Sequence, residues 1–188
     1  MQQRTTERED VIHNGFNVTQ LGATIGAIQE NPPLAKFQFR AANDWDQRLH
    51  SQATIESFYG TGQEMRHSAP FVLDADEPQV LLGEDSAANP AEIALAALSA
   101  CMTSSLIYKA SAMGIELSGV QSEYEGDVDL HGFLGLDPTC RSGFNEIRVK
   151  FKVKGDIDAA TVEELIKTSP IYDSLANPVR IKIEVETA

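Results

Sequence analysis

The run from Asn89 to Gly114 constrains this chain most, because it reads as a helix with almost no polar face. Asn89 is a good N-cap, Pro90 suits the first helical position, and Glu92 stands three beyond the cap, where a carboxylate can return to the cap's N–H. Gly114 supplies the residue that tolerates positive φ where a helix closes. Between them run Ile93, Leu95, Leu98, Met102, Leu106, Ile107 and Met113, while alanines fill most other directions. A helix apolar nearly all round is expected to be buried nearly all round. At a rise of about 1.5 Å per residue it is about 36 Å long. A small sheet from the same chain covers one side only, so a second layer is expected from another helix or another subunit.

The flanking segments carry a period of two. Phe37, Phe39 and Ala41 alternate, as do Ala53, Ile55, Ser57 and Tyr59; Gly60-Thr61-Gly62 reads as a turn, Phe71-Val72-Leu73 as another short strand, and residues 74–78 as a loop. After the helix, Val120, Ser122, Tyr124, Gly126, Val128 and Leu130 alternate with Gln121, Glu123, Glu125, Asp127 and Asp129. Ile147, Val149, Phe151 and Val153 alternate with Arg148, Lys150, Lys152 and Lys154, so the two polar faces are opposite in charge and favour pairing as a hairpin across the loop from Gly132 to Gly143. Residues 158–168 read as a second helix stopped at Ser169-Pro170, and Val179, Ile181, Ile183 and Val185 as a last strand. This order predicts an α+β fold of antiparallel sheet with helices segregated from it. Residues 1–35 stand apart as an extension in which Val18, Leu21, Ile25 and Ile28 share one face of a short helix, stopped by Asn31-Pro32-Pro33; residues 36–188 form the main domain.

Charge narrows the function classes. With 28 Asp+Glu against 15 Lys+Arg the formal net charge is −13, and no basic run offsets it. Nucleic acid and anionic membrane surfaces are therefore poor partners, and small molecules or other proteins remain. Two cysteines are too few for a secreted disulfide scaffold. The start of the chain is polar and no run of about 18 apolar residues is seen, so no membrane span and a cytoplasmic location are expected.

No HExxH, CxxC, GxxxxGK[ST] or GxSxG motif occurs, so no metal and no cofactor is expected. Asp127, Asp129 and His131 share a predicted strand face, but a solvated acidic face is the preferred reading. Cys101 remains, mid-helix, with Ala97, Leu98, Ser104 and Ser105 as its neighbours at three and four residues. A buried helical cysteine usually just fills space. For reactivity, lowering its pKa by about two units takes about 2.7 kcal/mol. The helix dipole fades within the first turn, about two turns too early, and burial acts the other way. One guanidinium about 4 Å away is worth about 4 kcal/mol at an effective dielectric of about 20. Cys101 is reactive only if such a cation reaches it.

Several motifs in order then resemble the OsmC/Ohr family, the osmotically inducible and organic-hydroperoxide-resistance proteins. They are Asp74-Ala75-Asp76-Glu77-Pro78, Leu82-Gly83-Glu84-Asp85, Asn89-Pro90-Ala91-Glu92 and the run from Leu95 to Cys101, followed by Glu125 to Leu136 and Ser169 to Pro178. The likeness spans about residues 37–188, and the extension is similar to that of one branch. The resemblance implies an intertwined homodimer whose long central helices are buried between shared sheets. It also implies a peroxidase whose thiolate attacks hydroperoxides, with an arginine and a glutamate holding it ready and a second cysteine resolving the sulfenic acid. Cys101 matches the attacking residue. The resolving position is Ser169, which forms no disulfide, and Cys140 in the hairpin loop is a conceivable substitute. The glutamate position holds Ala91, with Glu92 one step, about 100°, round the helix. Arg48 and Arg66 are candidates for the arginine, and His50, His67, Ser104 and Ser105 for the pocket. Two functions follow as expectations: a thiol protein that reacts with hydroperoxides and is reduced by an external thiol, or a non-catalytic dimer that binds a small apolar ligand with Cys101 as lining.

Overall fold

The computed structural model describes residues 10–187; the polar start at residues 1–9 lies outside the described residues. The chain divides into two compact units, one ending at Ala94 and the other beginning at Leu95, so the boundary falls inside the long helix.

The first unit opens with a small hairpin, β1 (Ile12–His13) and β2 (Phe16–Asn17), that leads into α1 (Val18–Glu30). Asn17 Oδ1 caps α1 by accepting from the Gln20 N–H at 2.9 Å. Only Leu21 of the predicted apolar face is buried, and Ile25 is 47% exposed. A 3-10 turn (Pro32–Ala35) then leads to β3 (Gln38–Phe39), β4 (Ala42–Gln47), β5 (His50–Gly60) and β6 (Gln63–Ala75). These form an antiparallel sheet in which β3 and β4 share one edge of β5 and β6 takes the other. Thr61 and Gly62 both have positive φ, as a tight two-residue hairpin turn requires. β6 is far longer than the predicted three-residue strand and reaches into the expected loop. Its first half, with exposed Glu64 and Arg66, carries no apolar alternation, and pairing with β5 alone makes it a strand.

In the second unit, α2 (Pro90–Ala112) lays Leu98, Met102, Leu106 and Ala110 into the core. Opposite them stand Val120, Tyr124, Ile147, Val149, Phe151 and Val153 of the hairpin β7 (Leu117–Val128) and β8 (Phe144–Gly155). The register places Gln121, Glu123 and Glu125 opposite Lys152, Lys150 and Arg148, as the charge pattern predicted. Between these strands Leu130–Phe133 forms a short helix, α3, capped by Asp129, so Asp129 and His131 leave the strand. The predicted shared face with Asp127 does not form, and no metal-holding group of acidic, His and Cys residues exists among the described residues.

α4 (Ala159–Lys167), capped by Asp158, buries Val162, Leu165 and Ile166. α4 stops before Ser169-Pro170 as expected, and the same pair also starts a further helix, α5 (Pro170–Ala176): Ser169 caps it, and proline suits a first turn as well as an end. The predicted last strand does not form within the described residues. Val179, Ile181, Ile183 and Val185 are 56–79% exposed because no sheet edge pairs with their backbone. Nor is α2 buried all round, since Ala96, Ala97, Ala100, Ser104 and Tyr108 lie exposed. By length and composition alone α2 matches a membrane span, a match that the core helix of a globular domain meets equally.

Candidate functional site

The start of α2 is held by local chemistry. The Asn89 N–H donates to Glu92 Oε2 at 2.9 Å, and Asn89 Oδ1 accepts from the Ala91 N–H at 2.7 Å. This is a capping box, so the Glu92 carboxylate is engaged at the helix end. Before it, Asp76, which sequence reasoning missed, is 1% exposed and organises the entire preceding loop. Its carboxylate accepts from the N–H groups of Glu77, Glu84 and Ser86 and from Ser86 Oγ, at 2.8–3.1 Å. These donors, the Ser86 pair foremost, lower its pKa to about 2. Leu82 and Asp85 take positive φ on the way round, and any Cβ at Gly83 would collide with the Glu77 carbonyl. The only sequence signal was an acidic residue followed by a loop, because the donors come from up to ten positions away.

Further along α2, Cys101 is half-buried and carries a free thiol. It sits at the border between the buried stripe of Leu98 and Met102 and the exposed stripe of Ala97, Ala100 and Ser104. Among the described residues it has no hydrogen-bond or ion-pair partner. Ser104 Oγ donates back to the Ala100 carbonyl at 2.8 Å, and Ser105 is half-buried on the same helix.

Cys140 has the opposite environment. Its Sγ–H donates to Asp129 Oδ2 at 3.8 Å, while the same carboxylate accepts from the His131 N–H at 2.9 Å and meets His131 Nδ1 at 2.7 Å. Burial first, and then the charge of Asp129, push the Cys140 pKa above its ordinary value. The thiol is held protonated. Ser169 is fully buried and spends its hydroxyl on the α5 cap, accepting from the Tyr172 N–H at 3.3 Å.

The remaining candidates lie in the first unit, each engaged there. Arg48, at positive φ in the β4–β5 turn, pairs with Glu84 at 3.0 Å, and its carbonyl accepts from Trp45 Nε1 at 2.9 Å. Arg66 pairs with Glu56. His50 faces Asp46 and Asp74, and His67 lies between the rings of Phe58 and Phe71, with centroids 5.4 and 4.9 Å away. The structure therefore groups Arg48, Arg66, His50 and His67 in one unit and Cys101, Cys140 and Ser169 in the other.

Two open grooves of mixed lining lie in the second unit. One of about 670 Å³ runs between β8 and α4, lined by Met102, Ile147, Val149, Phe151, Val162 and Ile166. The other, of about 440 Å³, is lined by Leu98, Phe144, Ile147, Tyr172 and Leu175, with Arg141 also on its wall. Cys101 lines neither.

A long apolar helix laid on an antiparallel hairpin, with a free thiol at the edge of its buried stripe, defines an α+β domain. The family model for OsmC-like proteins matches residues 83–184, and the chain belongs to that family. No curated protein matches the chain. Among solved structures, an OsmC-like protein from Mycoplasma pneumoniae has a TM-score of 0.54 at 16% identity, covering 75% of this chain and 89% of its own. An OsmC-like protein of unknown function from Vibrio cholerae has a TM-score of 0.50 at 12% identity, covering 73% and 92%. An organic hydroperoxide resistance protein OsmC from Legionella pneumophila has a TM-score of 0.47 at 17% identity, covering 74% and 90%. At such identities the first two show a shared fold alone.

Proposed function

We propose that this chain is a thiol-dependent peroxidase that acts on organic hydroperoxides as a cytoplasmic homodimer, with Cys101 as its reactive thiol. The observation that carries the reading is the thiol itself. Cys101 is free, only half-buried and flanked by small residues, and it lies within the stretch matched by the family model. In the reaction the thiolate attacks the terminal peroxide oxygen, the O–O bond breaks, the sulfur keeps the OH as a sulfenic acid, and the alkoxide leaves as the alcohol with a proton taken from solvent. An external thiol condenses with the sulfenic acid, releasing water, and a second thiol reduces the mixed disulfide, restoring Cys101. Ser169 gives no internal bridge, and the protonated Cys140 is a poor attacking group.

The thiolate needs a cation, and the homodimer is where Arg48 or Arg66 would supply it. Supporting a dimer are the bare stripe of α2, the unpaired segment at residues 178–187 with its exposed Val179, Ile181, Ile183 and Val185, and the unpaired outer edge of β8. Sedimentation is expected to give a dimer, and deletion of residues 178–187 a monomer. Peroxide treatment followed by mass spectrometry is expected to find Cys101 as sulfenic acid or a mixed disulfide. A Cys101 thiol that alkylates no faster than a free cysteine at pH 7 would sink the peroxidase.

One observation favours a second reading, a dimer that binds an apolar ligand: among the described residues Glu92 serves the helix cap and Cys101 has no hydrogen-bond or ion-pair partner. An unreactive Cys101 together with saturable binding of an apolar probe would establish it.

A further inference from the structure

Arg40, Arg48, Arg66 and Arg148 each hold a carboxylate. Among the described residues Arg141 holds none, and neither does Arg180, which stands on the unpaired segment after α5. In a chain of formal net charge −13, a guanidinium without an acid is the exception. The backbone at Arg141 is nevertheless fixed. Its carbonyl packs on Gly132 with no room for a Cβ there, and Ser142 Oγ donates to the Gly132 carbonyl at 3.1 Å. The acids of the same loop are taken by the loop's own donors, Asp129 by His131 and Cys140, and Asp137 by Thr139.

Arg141 stands on the wall of the groove of about 440 Å³, together with the buried Leu98, the half-buried Phe144, Ile147 and Tyr172, and the more exposed Leu175. Glu146 on the same wall is drawn to Arg148 at 3.5 Å. The volume falls within the range of small-molecule sites, about 300–1,000 Å³. Ile147, Val149 and Tyr172 line the larger groove as well, so a longer aliphatic chain has shared apolar surface to follow. Covering such surface supplies affinity in proportion to the area removed from water. The planar guanidinium then selects the head group, because it matches a carboxylate with two parallel N–H bonds. We propose that this groove binds a single-chain aliphatic carboxylate, with its tail on Leu98, Phe144 and Ile147 and its head on Arg141. Cys101 lines neither groove, so this ligand is not a substrate of the thiol, and the site stands apart from the peroxidase reading.

The test is isothermal titration of the full-length protein with decanoate, and with decanol as the same chain without the charge. The wild type is expected to bind decanoate saturably and about two- to fivefold more tightly than decanol, the worth of an exposed ion pair. Arg141→Gln is expected to remove that preference and leave decanol binding unchanged, while Arg141→Lys keeps most of it. Leu175→Asn, at a partly exposed position on the wall, is expected to weaken both probes alike, and Cys101→Ser to bind decanoate as the wild type does. No saturable decanoate binding, equal affinity for the two probes in the wild type, an unchanged preference in Arg141→Gln, wild-type binding by Leu175→Asn, or a loss in Cys101→Ser would each overturn the site. So would decanoate binding that arises only after residues 178–187 are deleted, since the groove would then belong to the chain's own end.

Discussion

The two cysteines sit in regions built on opposite principles. Around Cys101, α2 is fixed from its ends and its buried stripe: Asn89 and Glu92 close the first turn, while Leu98, Met102 and Leu106 anchor one side. Nothing is spent on the sulfur. Around Cys140, the loop is fixed through the sulfur's own surroundings. Asp129 accepts from Cys140 and His131, Asp137 accepts from the Thr139 N–H, and Gly132 packs so closely on the Arg141 carbonyl that no Cβ fits there. The difference teaches that a free thiol is not one kind of object. One is left open to an outside partner, and the other is consumed as a hydrogen-bond donor inside an acidic loop.

Exchanging the two residues for serine breaks or sharpens this contrast most. Cys101→Ser is expected to abolish peroxide-dependent thiol oxidation, and Cys140→Ser to leave it near the wild-type level, as a peroxide-consumption assay would read. Equal losses in both would erase the distinction. Beneath the Cys101 region, Leu106 is fully buried. Leu106→Ala is expected to cost about 2–5 kcal/mol in denaturant unfolding, and a much smaller loss would mean that α2 is not anchored as described.

The loop before α2 gives a pH signature. Because folding depresses the Asp76 carboxyl to about 2, its contribution is fully present above its ordinary value of 3.8 and is lost as the pH falls towards 2. Thermal melts of the wild type are expected to fall over that window, whereas Asp76→Asn should be less stable at neutral pH and flatter in acid. Asn89→Ala removes the cap at the head of the same helix and is expected to cost about 1 kcal/mol in denaturant unfolding. The smallest effect belongs to the acidic loop. Burial is the first cause of the raised Cys140 pKa and the Asp129 charge the second, so Asp129→Asn is expected to speed alkylation of Cys140 only modestly at pH 8 while Cys101 is unchanged.

Much of this was legible in the residues. The helix could be read because Asn89, Pro90, Glu92 and Gly114 act within one turn of its ends. The β7–β8 pairing was legible because opposite charges alternate on a period of two, and the turn at Thr61-Gly62 because positive φ selects glycine. Cys101, Cys140, Ser169 and the arginines could be named, but whether any cation serves Cys101 could not, since no short-range rule links Arg48 or Arg66 to a cysteine more than thirty residues on.

Short-range stereochemistry and periodicity, which act over a few residues, determined α2, α4 and the β7–β8 pairing from sequence alone. Only the tertiary structure decided that Asp76 gathers a loop, that Ser169 caps a further helix, that Cys140 faces a carboxylate, and that residues 178–187 stand unpaired. Each of these depends on which groups meet across sequence distance, and therefore on where the chain's polar atoms find partners after it has folded.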